Sequence, residues 1–108
     1  MAFAQLNTHL ITDWASFHLV CKEAFGFPAF YGENMNAWID CLSYLTGNDG
    51  MTQFVLSNGE MFHIEVTNTE DFNSRLPEIL DALVECSAFV NSRYIETQVS
   101  ARISLIFL

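Results

Sequence analysis

The chain has 108 residues, of which 51% are hydrophobic, and its formal net charge is −9. This length and apolar content supply one packed core without disulfide help and argue against intrinsic disorder. Four basic residues face thirteen acidic ones. This balance disfavours direct binding to nucleic acid and favours a basic protein partner, although solubility alone also explains an acidic chain.

The first part of the chain predicts a strand followed by a helix. Residues Ala2 to Leu6 form the candidate strand, and Thr12 is the candidate N-cap of a helix over Asp13 to Phe25 that ends at Gly26. The buried stripe of this helix is predicted to consist of Trp14, Phe17, Cys21, Ala24 and Phe25.

A second helix is predicted from about Met35 to Leu45. Asn34 is its expected N-cap, and Gly32, two residues earlier, can take backbone angles that are closed to other residues. Apolar residues at helical spacing predict a core-facing stripe that consists of Met35, Trp38, Leu42 and Leu45.

Another face of this helix carries Asp40, with Asn36 one turn earlier and Ser43 three residues later. Ile39 and Phe30 border the carboxylate with apolar surface. An isolated acidic point in such surroundings is typical of a docking surface for a basic pocket. Without those surroundings, Asp40 would be an ordinary solvated helix residue.

The middle of the chain predicts an antiparallel hairpin. Its two strands are Gln53 to Leu56 and Met61 to Val66, joined through an Asn58-Gly59 turn. Apolar and polar residues alternate along the second strand, which places it towards a sheet edge.

Two helices and a strand are predicted after the hairpin. A short helix covers Thr69 to Leu76, and a longer one runs from Pro77 to about Val90 before a loop over Asn91 to Gln98. The inward residues of the longer helix are Ile79, Leu80, Leu83, Cys86 and Val90. The nearly all-apolar segment Ile103 to Leu108 predicts a strand covered on both faces.

The order of these elements predicts one α/β domain over residues 1–108. A small, mainly parallel sheet would pack against about four helices, with one added antiparallel hairpin strand. Cys21, Cys41 and Cys86 lack the spacing of a zinc site or a CxxC pair, so we expect three reduced thiols, no metal and no cofactor. We expect a cytoplasmic protein that does not bind membranes, because neither a secretory signal nor an apolar run of membrane-spanning length is recognisable.

The segment from Phe25 to Leu45 resembles the barstar family, the protein inhibitors of barnase-type ribonucleases. The resemblance is carried by Pro28, by the run Tyr31-Gly32-Glu33-Asn34, by Ala37 and by Asp40-Cys41-Leu42. It implies a barstar-like fold and a protein that is not an enzyme. It also implies that the second helix and its preceding loop block the active site of a ribonuclease by imitating RNA.

The same resemblance assigns roles to individual residues. Asp40 matches the aspartate that occupies the phosphate-binding site of the enzyme, and Gly32, Asn34 and Ser43 match other interface positions. Glu85 matches a second acidic contact. Glu33 is either a contact or a source of favourable charge near the helix N-terminus.

Four interface positions depart from the family pattern. Leu45 stands where the family has another aromatic residue at the interface edge. Asn36 stands where the family has an acidic residue, Phe30 where it has a tyrosine and Ile39 where it has a tryptophan. The surface is therefore less acidic and less aromatic, which is expected to weaken binding to barnase or to redirect it to another partner.

These observations predict an inhibitor of a basic ribonuclease or of a toxin nuclease, as an immunity protein would be. One alternative is an interaction or regulatory module on the same scaffold with a partner that is not a ribonuclease. A small hydrolase is another, although no histidine lies at a spacing that indicates a nucleophile and base pair.

Overall fold

Strands and helices alternate along residues 2–108, the part of the chain that the computed structural model describes. The strands are β1 (Ala2–Leu6), β2 (Met61–Val66) and β3 (Arg102–Phe107). The helices are α1 (Trp14–Phe25), α2 (Met35–Leu42), α3 (Thr69–Arg75) and α4 (Pro77–Glu96), and a short 3-10 turn spans Thr8–Leu10.

The sheet has the order β1-β2-β3, and both strand pairs are parallel. Parallel neighbours need crossover connections, which α1 and α2 provide between β1 and β2, and α3 and α4 provide between β2 and β3. Buried and exposed residues alternate along β1, so one face of the sheet packs on the core. The predicted α/β fold with a parallel sheet and four helices is confirmed.

The predicted antiparallel hairpin is wrong, because Gln53 to Leu56 form no strand. Both edges of β2 are already occupied by parallel partners. The backbone of the segment bonds instead to the end of α1 and to the turn after α2. The Gln53 amide donates to Phe25 O at 3.0 Å, and the Leu56 amide donates to Leu45 O at 2.7 Å. The turn itself is present, since Gly59 has a φ of 80°.

The predicted positions of β2 and β3 in the sheet are also wrong. Strand β2 is central, and the polar residues on its open face are tolerated because that face is only partly covered. Strand β3 lies at an edge, and Phe107 near its end is 52% exposed. Its apolar run therefore does not indicate cover on both faces.

Helix α1 begins at Trp14, one residue later than predicted. Asp13, not Thr12, is the N-cap, and its side chain accepts from the Ser16 amide while the Ser16 side chain accepts from the Asp13 amide. Trp14 is the first helical residue and is 41% exposed, so its predicted burial is wrong. It stacks on His18 one turn later, with ring centroids 6.0 Å apart.

Three of the four residues predicted for the core-facing stripe of α2 are confirmed as buried. Trp38, Leu42 and Leu45 are fully buried, while Met35 is half-buried. The helix ends at Leu42, three residues before the predicted end. Helix α2 packs against α4, and this contact fixes which face of α2 remains exposed.

Helix α4 continues to Glu96, so the predicted loop over Asn91 to Gln98 is wrong for most of its length. Asn91 does not cap the helix, because its side chain is engaged with β3. Its Oδ1 accepts from the Ile103 amide at 2.7 Å, and its Nδ2 donates to Ile103 O at 3.1 Å. The added turn brings Arg93 onto the helix.

Candidate partner-binding surface

The start of α2 is fixed by a local network. The Asn34 side chain accepts from the Ala37 amide at 2.8 Å and donates to Gly32 O at 3.1 Å. The left-handed residue of this turn is Glu33, with a φ of 52°, and Gly32 has no positive φ. Glycine at position 32 is therefore not required by backbone angle, and the prediction that it supplies an unusual conformation is wrong.

The exposed face of α2 and the preceding loop form a continuous feature, which we call the Asp40 surface. It consists of Phe30, Gly32, Asn36, Ile39, Asp40 and Ser43. Phe30, Gly32 and Asp40 line one shallow depression of about 130 Å³ together with Tyr31 and Cys41. The structure thus brings together residues from the loop and from the helix that were predicted to share a site.

Exposure differs within the Asp40 surface. The Asp40 side chain is 61% exposed and Phe30 is 76% exposed, whereas Ile39 and Ser43 are half-buried. Asn36 is exposed one turn before Asp40. The surface therefore presents one carboxylate, one amide and one aromatic ring to solvent.

Glu33 and Asn34 face a neighbouring groove of about 500 Å³, which Trp14 and His18 also line. His18 is buried, and its Nδ1 lies 2.6 Å from the Tyr31 hydroxyl under the loop. Burial lowers the pKa of His18, an effect that the nearby Glu33 carboxylate partly opposes. The buried, neutral His18 side chain therefore holds the loop before α2 through its hydrogen bond with Tyr31.

Asp40 is not isolated, in contrast to the prediction. The Arg93 Nη1 donates to Asp40 Oδ1 at 3.1 Å and to Ser43 Oγ at 3.3 Å. Ser43 in turn donates to Ile39 O at 2.7 Å, so its hydroxyl is held in place at the end of α2. The acidic point predicted from the sequence is therefore a pair of opposite charges.

Sequence reasoning missed Arg93 because the residue was assigned to a loop and lies 53 positions from Asp40. The signal that could have found it is the helical spacing of Phe89 and Arg93, which extends α4 by another turn. Glu85 is exposed on α4, eight residues before Arg93, or about 12 Å along the helix axis. The α4 residue in contact with Asp40 is Arg93, and a contact between Glu85 and the partner stays a prediction.

The surroundings of two cysteines disfavour the thiolate form. Burial raises the pKa of Cys41, with the adjacent Asp40 carboxylate adding to the effect, and burial raises the pKa of Cys21 to about 12. Thiols of this kind are poor nucleophiles. Within residues 2–108, no three histidine, cysteine or acidic side chains cluster in a way that could hold a metal ion, and no helix is long and apolar enough to cross a membrane.

The fold and this surface define the class of protein: a small α/β domain that presents one helix face and its preceding loop to solvent. A family model described as Barstar (barnase inhibitor) matches residues 1–106. Since the match covers nearly the whole chain, the chain belongs to the Barstar family, and the resemblance predicted from the sequence is confirmed. The family's members are inhibitors rather than enzymes, and the family implies a protein partner. No match was found among the curated proteins.

Proposed function

We propose that this protein inhibits a basic ribonuclease of the barnase type by inserting the Asp40 surface into the active site of the enzyme. A toxin nuclease with a similar pocket is included in this class of target. The Asp40 carboxylate would occupy the position of an RNA phosphate. The observation that carries the proposal is the exposure of this carboxylate on a helix whose opposite face is buried in the core.

The placement of Asp40 on α2 suits that role for a physical reason. The helix is anchored by Trp38 and Leu42, so little backbone freedom is lost when a partner binds. Arginine, lysine and histidine side chains that bind a phosphate also form charge-assisted hydrogen bonds with a carboxylate. A rigid carboxylate is therefore a good substitute for the phosphate.

The neighbours of Asp40 add contacts of two kinds. Phe30 is largely exposed and can fill an apolar recess at the edge of a pocket, while Asn36 can exchange hydrogen bonds with polar groups. The net charge of −9 would speed association with a basic enzyme and would make the rate fall as salt is added.

The first test is a stoichiometric titration of the native protein into a barnase-type ribonuclease assay, beside an Asp40→Asn variant. Native protein is expected to abolish activity near one equivalent. The variant keeps the shape of the side chain but removes the charge, and we expect about ten- to hundredfold weaker inhibition from the loss of charged hydrogen bonds.

Asp81→Asn is the matched control, because Asp81 is an exposed aspartate near the other end of α4 and its replacement changes the net charge equally. Equal losses in the two variants would mean that only net charge matters and would contradict the proposed site. If the native protein does not inhibit, the proposal is wrong for this enzyme class and the interaction-module alternative is favoured.

A further inference from the structure

Arg93 lies beside the carboxylate on which the proposed function depends. Its guanidinium donates to both Asp40 and Ser43, and its central carbon lies 5.2 Å from the centre of the Phe89 ring. The stacked ring and the two acceptors hold the cation against the Asp40 surface. The contact joins α4 to α2 across 53 positions of sequence.

Two other arginines, Arg75 and Arg102, donate hydrogen bonds to backbone carbonyl oxygens. Arg75 donates to the backbone oxygens of Thr8 and Ile11, and Arg102 donates to those of Val99 and Ala101. These two guanidinium groups satisfy carbonyl oxygens at chain turns. Arg75 also pairs with the Asp71 carboxylate within α3, whereas Arg93 makes its ion pair with a different helix and is 44% exposed. An exposed ion pair of this kind contributes little to stability.

The position of Arg93 has a direct consequence for recognition. A partner that offers only cations to Asp40 must bring them next to a fixed cation. It must also either share the carboxylate with Arg93 or displace it. Both like-charge repulsion and competition for Asp40 Oδ1 oppose such a partner. A partner that also presents a carboxylate to Arg93 meets neither obstacle.

We propose that Arg93 is a specificity-determining residue, which lowers the affinity of the Asp40 surface for purely cationic pockets and selects partners that pair a cation with a carboxylate. The inference rests on the proposed function for its biological setting. The selection is a property of the surface itself, however, and can be measured with a simple cationic probe.

The test compares native protein with Arg93→Gln and Lys22→Gln, which have the same net charge as each other. Lys22 lies on α1, so its replacement controls for the overall charge. A hexa-arginine peptide is the first probe, followed through NMR amide shifts of residues 36–43. The second readout is inhibition of a barnase-type ribonuclease. We expect Arg93→Gln to tighten peptide binding by about three- to tenfold relative to Lys22→Gln, from removal of one like charge at short range.

Arg93→Lys keeps the charge and is expected to bind the peptide as the native protein does. Circular dichroism checks that every variant is folded. A gain for Arg93→Gln with the peptide supports the inference even if no variant inhibits the ribonuclease, an outcome that would reject only the proposed function. If Arg93→Gln binds the peptide no better than Lys22→Gln, the inference is overturned.

Discussion

The two faces of α2 differ in burial: one packs in the core and the other is exposed to solvent. On the inner face, Trp38 and Leu42 are fully buried and the backbone at the helix end is bonded to Tyr94. On the outer face, Asp40 is exposed and its hydrogen bond to Arg93 lies at the surface. The inner face therefore determines whether the helix is held, while the outer face determines what it can bind.

The largest expected effect comes from the inner face. Leu42→Ala removes a fully buried side chain and leaves a cavity between α2 and the core, which is expected to lower the free energy of unfolding by about 2–5 kcal/mol. Urea denaturation followed by tryptophan fluorescence measures this change. Leu19→Ala is the matched control, since Leu19 is a leucine on α1 that is 53% exposed. A loss in Leu42→Ala no larger than in that control would break the distinction between the faces.

A smaller effect is expected at the contact between α4 and the end of α2. The Tyr94 hydroxyl donates to Leu42 O at 2.5 Å and accepts from the Leu45 amide at 3.1 Å. Tyr94→Phe leaves these two backbone groups without that partner, and we expect a loss of about 1–3 kcal/mol in the free energy of unfolding. Thermal and urea denaturation check this value.

Tyr44→Phe is the control for this hydroxyl, because Tyr44 is 48% exposed and its hydroxyl can bond to water. The expected change there is near zero. If Tyr94→Phe behaves in the same way, the tyrosine does not clamp the end of α2 as the structure indicates.

Local patterns predicted much of the inner face from sequence. The cap at Asn34 and the stripe of Trp38, Leu42 and Leu45 depend on residues within one or two turns, so their roles can be deduced from spacing alone. The strong Asn58-Gly59 signal predicted a turn correctly but a hairpin wrongly, because strand pairing depends on which partners occupy both edges of β2.

The outer face of α2 was predicted only in part from the sequence. Spacing placed Asn36 and Asp40 on one exposed face, and the resemblance assigned Phe30 and Gly32 to the same surface. Arg93 was missed, because its contact with Asp40 needs the full length of α4 and the packing of α4 on α2. Helical spacing could have placed Arg93 on α4, but no local pattern in the sequence shows that this residue meets Asp40.

Asn34 lies at the border between the two faces and gives the smallest stability effect. Its side chain satisfies the Ala37 amide, and Asn34→Ala is expected to lower the free energy of unfolding by about 1 kcal/mol through loss of this cap. Asn36→Ala, two residues further along, removes an exposed amide that caps nothing and is expected to leave stability within about 0.5 kcal/mol. Urea denaturation of the two variants under the same conditions separates a structural asparagine from one available to a partner. Equal losses would show that α2 does not depend on its cap, and the rigid presentation of Asp40 would then need another source.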